Sequence, residues 1–401
     1  MKRLYSNFSK VDKLLDSNVS IYLDFIRGLS AILVVMEHLS SRLFVGYGNI
    51  ESPNILVNLL YMLNILGGPA VIVFFVLSGL FISRSVLKAF YDDKWSWKTY
   101  LINRLSRLLV VLVPALLLTL VLDIIAVKFF EYEGYTNAYI NLKNFVGNLF
   151  FLQNVYVGVY GSNAPLWSLN YEFWYYILFP TLLLLLFSKK RKLVMFFYFS
   201  LAILIISTVG MRMNTYFVIW LIGTSILLLP KANLLKHRFV PIASFVLLLV
   251  VLPVRPLVMT GRLFTDQWTE NLFLVDLLIG LVFGLFIYSL LHVTSNRIKN
   301  IEFNWIGGGS RRLAGFSFSL YLIHYPIINT VYYWVAKNGF SGLQPNLGSI
   351  ALEMLLIILI CMIAFYFSRI TEAQTFRVRR FLEVKTNSNR NQVRNKQNLA
   401  G

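Results

Sequence analysis

The stretch YLDFIRGLSAILVVMEHL, Tyr22 to Leu39, is apolar enough to enter a bilayer yet carries Asp24, Arg27, Glu37 and His38. Ionisable side chains at membrane depth are costly and face a partner or a wet cavity, so a span that keeps four of them marks a functional site. In a helix, Arg27 and His38 lie three turns plus about 20° apart, which puts them on one face with roughly 16 Å of axial rise between them. Asp24 falls on the same face. One stripe therefore holds a cation near one membrane surface and an imidazole deeper or toward the other.

The rest of the chain agrees with a membrane setting. Its 401 residues are 57% hydrophobic and 16% aromatic, with a mean hydropathy of +0.67, far from an ordinary soluble domain. The expected fold class is all-α: a polytopic bundle of about ten transmembrane helices. A net charge of +19 would suit nucleic acid only on a soluble fold with a basic face, and the long segments here are apolar, so nucleic acid is excluded as a partner. The single cysteine, Cys361, sits in an apolar run as a packing residue, which excludes a disulfide framework, a cysteine metal cluster and a redox pair. No metal and no permanently bound cofactor is expected. The first apolar run is preceded by charge, as in a signal peptide, but it contains Arg27, Glu37 and His38 and no small-residue cleavage site follows it. It reads as a retained span.

Spans of about 20 residues fit at roughly 22–40, 67–87, 105–126, 166–187, 193–210, 214–230, 239–254, 272–293, 313–336 and 348–368. Most of the 37 lysines and arginines then fall on one side of the membrane, among them Arg84, Lys88, Arg104, Arg107, the Lys189 to Lys192 block and the cluster from Arg369 onward. Few fall on the other, Arg212, Arg255 and Arg262 among them. By the positive-inside rule both termini are cytoplasmic. The expected divisions are a cytoplasmic segment 1–20, a membrane domain 21–376 and a basic tail 377–401, Asn-rich and disordered from Thr386, able to touch anionic lipid headgroups. On the outer side, FVGNLFFLQN (Phe145 to Asn154) is too short to span and reads as a re-entrant or interfacial helix.

Four further constellations carry potential chemistry. Arg104 and Arg107, three apart at the inner mouth of the third span, can grip a phosphorylated ligand with guanidinium forks, or simply anchor the helix. Glu172 lies inside the fourth span behind Pro165, Trp167, Trp174, Tyr175 and Tyr176. The aromatics fit an interfacial belt, but the carboxylate requires a partner, such as a histidine or an arginine, on a neighbouring helix. The ninth span places Ser317, Tyr321 and His324 on one side, with His324 either chemical or a packing histidine bonded to a hydroxyl. His237 and His292 are expected at span ends on the surface. Ser78-Gly79 in the second span reads as a point of close helix contact. On the first span, Arg27 could snorkel with Asp24 as its partner, but that gives no reason for Glu37 and His38 at the far end. The imidazole, with an ordinary pKa near neutrality, suits general-base work on a hydroxyl.

Taken together these stretches resemble the acyltransferase 3 family of integral membrane acyltransferases, over residues 21 to 380. LDFIRGLSAILVVMEH resembles the family's first-helix motif, an arginine and a histidine separated by ten residues, here Arg27 and His38. FFVLSGLFI resembles its second-helix motif, INRLSRLL its paired arginines, PLWSLNYEFWYYILFP its Trp-Ser…Glu motif (Trp167, Ser168, Glu172) and SFSLYLIHYP its Tyr-x-x-His-x-Pro motif (Tyr321, His324, Pro326). Two departures stand out. Ile72 occupies the place where many members carry an acid, and Glu372 is followed by Ala373 and Gln374 where the family often has Glu-x-Pro.

The resemblance implies a stand-alone membrane O-acyltransferase of the bacterial cytoplasmic membrane, with acetyl-CoA or another short acyl-CoA as donor and a hydroxyl of a cell-surface or lipid-linked polysaccharide as acceptor. On that reading Arg27, Arg104 and Arg107 bind the donor phosphates, His38 is the base, Glu37 or Glu172 orients its ring, and Tyr321 or His324 donates to the developing oxyanion. A transporter or glycan flippase is the competing class, because embedded Arg, Glu and His also mark substrate pathways. Against a transporter, the sequence shows no evident internal repeat.

Overall fold

The structure is a computed structural model that describes residues 2–16, 19–130, 139–187, 191–233, 237, 239–259, 272–294 and 304–385. Within these residues the chain is helical, without a strand. The helices are α1 (Lys2–Leu15), α2 (Val19–Leu43), α3 (Ile55–Asn64), α4 (Gly67–Tyr91), α5 (Trp97–Phe130), α6 (Leu142–Leu149), α7 (Leu166–Phe187), α8 (Lys192–Val209), α9 (Met211–Leu228), α10 (Val240–Val251), α11 (Val254–Met259), α12 (Phe273–Thr294), α13 (Asn304–Lys337) and α14 (Leu347–Ile370). The disordered tail expected from Thr386, and Lys189 and Lys190 of the basic block, lie outside the described residues.

Nine described stretches are long and apolar enough to cross a membrane. The expected span at 313–336 is not among them. It lies in α13, whose 34 residues cover about 51 Å but whose polar content, including Arg311, Arg312, Ser317, Ser319 and His324, lowers its hydropathy. That polarity has a structural reason. α13 packs most extensively against α2 and also against α5 and α14, so Ser317, Ser319 and His324 are buried against protein rather than lipid, while Arg311 and Arg312 stay exposed. By contrast α8, α10 and α14 turn Phe196, Leu204, Ile242, Val250 and Leu355 outward, as lipid-facing helices do.

Local signals set the helix limits. Asn54, Asn141 and Asn346 cap α3, α6 and α14, accepting from the backbone N–H groups of Val57, Asn144 and Ser349. A single residue, Gly210, joins α8 to α9 at φ +81°, a conformation that a side chain would strain. α10 stops short of the membrane thickness at Val251, and after Pro253 the chain continues as α11. Arg255 is therefore a residue of α11 rather than of an outer loop. Its Nε lies 2.8 Å from Oδ1 of Asp276, a carboxylate buried on α12.

The close contact expected at Ser78-Gly79 is present: a Cβ on Gly79 would lie 1.9 Å from the carbonyl oxygen of Trp220, and one on Gly223 would lie 2.0 Å from that of Val76. α4 and α9 thus meet backbone to backbone. At Gly28 the side chain of Leu313 on α13 instead packs directly over the α2 backbone. The segment Phe145 to Asn154 begins inside α6, an eight-residue helix too short to cross, and then turns to bury Phe151 and Gln153. The N-terminal segment, read from sequence only as cytoplasmic, forms α1. That helix buries Phe8, Val11 and Leu15 and docks by Asp12 to Arg84 (2.6 Å) and Lys88 (3.2 Å). The end of the bundle that α1 covers, where α2 begins and α4 finishes, is called the basic end below.

Candidate active site

The polar residues of the first span point the same way. Arg27 donates to the carbonyl of Ala314 (3.3 Å), and the ring of His38 stacks on that of His324, ten residues further along α13. The helical spacing of arginine and histidine on α2 is thus matched by α13, and both side chains face it. Asp24 pairs with Arg27 at 3.3 Å, so the pairing expected of a snorkelling arginine exists. Arg27 is nonetheless turned inward, toward a cavity.

That cavity, of about 280 Å³, is lined by Arg27, Arg104, Arg107, Glu172, Ser168 and Tyr321, with Phe74, Ser78, Phe81, Tyr176 and Ser317 among its other walls. Residues spaced by four on α7 (Ser168, Glu172, Tyr176) form one stripe along it, and Ser317 and Tyr321 do so on α13. Three cations and one carboxylate in a largely apolar hollow favour an anionic ligand. Its volume is small beside that of typical ligand pockets, so it suits a narrow chain or acyl group rather than a whole nucleotide.

The partner that Glu172 requires is hydroxylic rather than cationic. Tyr176 donates to the Glu172 carboxylate, as does Ser78 at 3.2 Å, and Ser78 in turn accepts from the Trp220 indole at 3.2 Å. Arg104 donates to Ser85 and lies over the rings of Tyr100 and Tyr176. Arg107 and Arg27 both fall within the field of Glu372, whose carboxylate accepts from the N–H and hydroxyl of Ser319 at 3.3 and 3.0 Å. Glu372, noted in the sequence only as the start of a departed motif, is thus a counter-charge to two of the three arginines. The position of the other departure, Ile72, is filled by core packing, with 2% exposure.

The imidazole pair lies beyond the cavity, behind Tyr321. The Tyr321 hydroxyl is 2.7 Å from that of Ser168 and 3.2 Å from the carbonyl of Pro165, and its ring centroid is 5.9 Å from that of His324. His324 is fully buried. Its Nδ1 faces the carbonyl of Leu320 at 3.0 Å, while Nε2 has no partner. A carbonyl can only accept, so Nδ1 carries the proton and Nε2 presents a lone pair. His38, half-buried, packs on His324 at 5.3 Å and edge-on to Tyr325 at 4.7 Å between centroids.

Neither carboxylate expected to orient His38 is arranged to do so. Glu37 accepts from the N–H of Gly68 at 2.7 Å, where the free amides at the start of α4 draw a negative charge. Glu172 is held by Ser78 and Tyr176 inside the cavity. The reason is geometric: Glu37 follows Met36 and precedes His38, and adjacent helical residues point about 100° apart. His292, expected on the surface, is buried at 6% exposure and packs on Tyr288; His237 is exposed as expected. Among the described residues no group of histidine, cysteine and carboxylate side chains is arranged to hold a metal.

Fold and site together define a multi-pass helical membrane protein with an arginine-lined cavity and, next to its Tyr321 wall, a pair of stacked histidines. The family model described as an acyltransferase domain matches residues 20–368, and the chain belongs to the acyltransferase 3 family; it is a membrane acyltransferase. No curated protein and no solved structure matches it.

Proposed function

We propose that the protein moves a short acyl group, acetyl in the first instance, from acyl-CoA to a hydroxyl of a cell-surface or lipid-linked polysaccharide, at the bacterial cytoplasmic membrane with its basic end in the cytoplasm. The observation that carries this reading is the convergence of Arg27, Arg104 and Arg107 on one cavity whose wall includes Tyr321, the residue against which His324 of the histidine pair rests. The arginines take the donor's phosphates at the basic end. The pantetheine arm runs along the Arg27 to His38 stripe, a rise of roughly 16 Å, which brings the thioester toward the imidazoles.

In the reaction, His38 accepts the proton of the acceptor hydroxyl as its oxygen attacks the thioester carbonyl. The hydroxyl of Tyr321, held by Ser168, donates to the oxyanion that forms. Collapse of the tetrahedral intermediate expels the CoA thiolate, which takes the proton back from the imidazolium. Protons and charge balance without a further co-reactant.

The test is purified protein in lipid with radiolabelled acetyl-CoA and a polysaccharide acceptor. Label on the glycan, lost with His38→Ala, is the expected result. Saturable passage of glycan or anion across the membrane without label transfer would instead identify a transporter or flippase.

A further inference from the structure

A second set of buried polar groups lies away from the arginine cavity, where α5, the loop before α7 and α13 meet. Asp123 and Thr119, one turn apart on α5, are 1% and 0% exposed; Ser162 and Asn163 in the loop are 5% and 0%, and Asn329 on α13 is 2%. The loop is pressed against the carboxylate. The N–H of Ser162 donates to Oδ2 of Asp123 at 2.8 Å, and Gly161, at φ +57°, leaves no room for a side chain, since a Cβ would lie 2.1 Å from that oxygen.

What this cluster lacks is specific. Nδ2 of Asn163 gives both its hydrogens, to Oγ1 of Thr119 (3.1 Å) and to the carbonyl of Leu322 (2.8 Å), which fixes the amide's orientation. Nδ2 of Asn329 points to the carbonyl of Ser162 at 3.5 Å. Left over are Oδ1 of Asn163, Oδ1 of Asn329 and Oγ of Ser162, all buried and without a hydrogen-bond partner. The Ser162 hydroxyl lies beside the Asp123 carboxylate and can turn its proton toward it. No ion pair to Asp123 is present among the described residues, and residues 131–138, outside them, contain no lysine or arginine. The two unmet amide oxygens can only accept, the hydroxyl can present its oxygen lone pairs, and no described cation pairs with the buried carboxylate beside it.

We propose that this cluster is a binding site for a monovalent alkali cation of sodium size, held by the Asp123 carboxylate, the two amide oxygens and the Ser162 hydroxyl. Oxygen donors from three segments are the ligand set of a hard cation. One formal negative charge is neutralised by one positive charge, whereas a divalent ion would leave net charge at membrane depth, where it is costly. A buried water could donate to two of the oxygens, but it would leave the carboxylate charge unmatched. The cation would pin the 161–163 loop to α13 at Leu322, beside Tyr321. It rests on burial and hydrogen bonding alone, and would stand if the acyl donor or acceptor were of another kind.

The experiment measures thermal unfolding of the full-length protein in detergent across a series of sodium chloride concentrations, with choline chloride holding ionic strength constant, alongside equilibrium binding of ²²Na⁺. The expected result is a midpoint that rises with sodium, as for any ligand bound only by the folded state, and saturable binding near one ion per chain. Asp123→Asn, which keeps the shape and removes the charge, and Asn329→Ala should each abolish the sodium-dependent rise. A parent protein with no sodium-specific shift and no saturable ²²Na⁺ would overturn the proposal, leaving water or a proton as the occupant. So would an undiminished sodium response in Asn329→Ala, a readout that remains if Asp123→Asn does not fold.

Discussion

The imidazoles of His38 and His324 stack with centroids 5.3 Å apart and planes inclined by 25°, although 286 positions separate them in the chain. Of the two, His38 is the half-buried ring and His324 the enclosed one, its Nδ1 committed to Leu320. On the proposed function, proton transfer with an incoming hydroxyl is assigned to His38, the more accessible ring, with His324 behind it. Conversion of His38 to Ala should lower acyl transfer by roughly 10²- to 10⁴-fold while acyl-CoA binding largely survives. His324→Ala should also reduce transfer, but by less. Near-parental transfer in His38→Ala with complete loss in His324→Ala would move the base to α13.

Arg104 and Arg107 line the same cavity but are held differently, Arg104 by Ser85 and two tyrosine rings, Arg107 by the field of Glu372. Replacing either by Ala should weaken donor binding by about 10- to 150-fold, the worth of one lost charge-assisted hydrogen bond of about 1.5–3 kcal/mol. A grip on phosphate acts alike in ground and transition states, so the maximal rate should change less than the affinity. Calorimetric titration with acyl-CoA decides it, and parental affinity in both variants would remove the arginines from the donor site.

At the crossing of α4 and α9, Gly79→Ala would set a methyl group against the backbone carbonyl of Trp220. Neither backbone can yield without separating the helices, so the variant should lose about 1–3 kcal/mol and unfold at a lower temperature than the parent. The same exchange at Gly48, which has open space around it, is the control and should leave the midpoint unchanged.

The docking of α1 should depend on acid. Burial by itself would raise the Asp12 carboxyl, but hydrogen bonds from Arg84 and Lys88 and their charges outweigh it and hold it below its ordinary value. A depressed carboxyl gives stability that is fully present above the unfolded-state value of about 3.9 and is lost as pH falls through the lower value of the docked state. Pepsin cleavage within residues 2–15 should therefore rise as pH drops below about 4, whereas Asp12→Asn should be cut readily at every pH where pepsin acts. Equal protection of the two proteins across that range would show that Asp12 is dispensable and that Phe8, Val11 and Leu15, with Asn7 on Leu228 and Asp16 on Arg84, hold the helix.

Much of this molecule was legible in its sequence because the deciding signals are local. Apolar runs of membrane length fixed the helical class, and the Arg27 to His38 spacing fixed a shared face, which α13 then occupies. The need of Glu172 for a partner on another helix followed from its place inside an apolar span, and the close approach at Gly79 from the small residues Ser78 and Gly79. The identity of each partner did not, because it depends on which helix lies opposite and at what height. Only packing shows that the neighbouring-helix partner of Glu172 is Ser78, beside Tyr176 of its own helix, rather than a histidine or an arginine, and that Glu37 turns to the start of α4 instead of to His38. Packing also takes Arg255 and His292 out of the roles their sequence neighbourhoods suggested, since a broken helix and a crowded helix end bury what a hydropathy profile leaves outside. Spacing along one helix is set by 3.6 residues per turn, a property of the backbone. Contacts between helices are set by side-chain volumes and small residues spread over the whole chain, and these act only once the bundle is assembled.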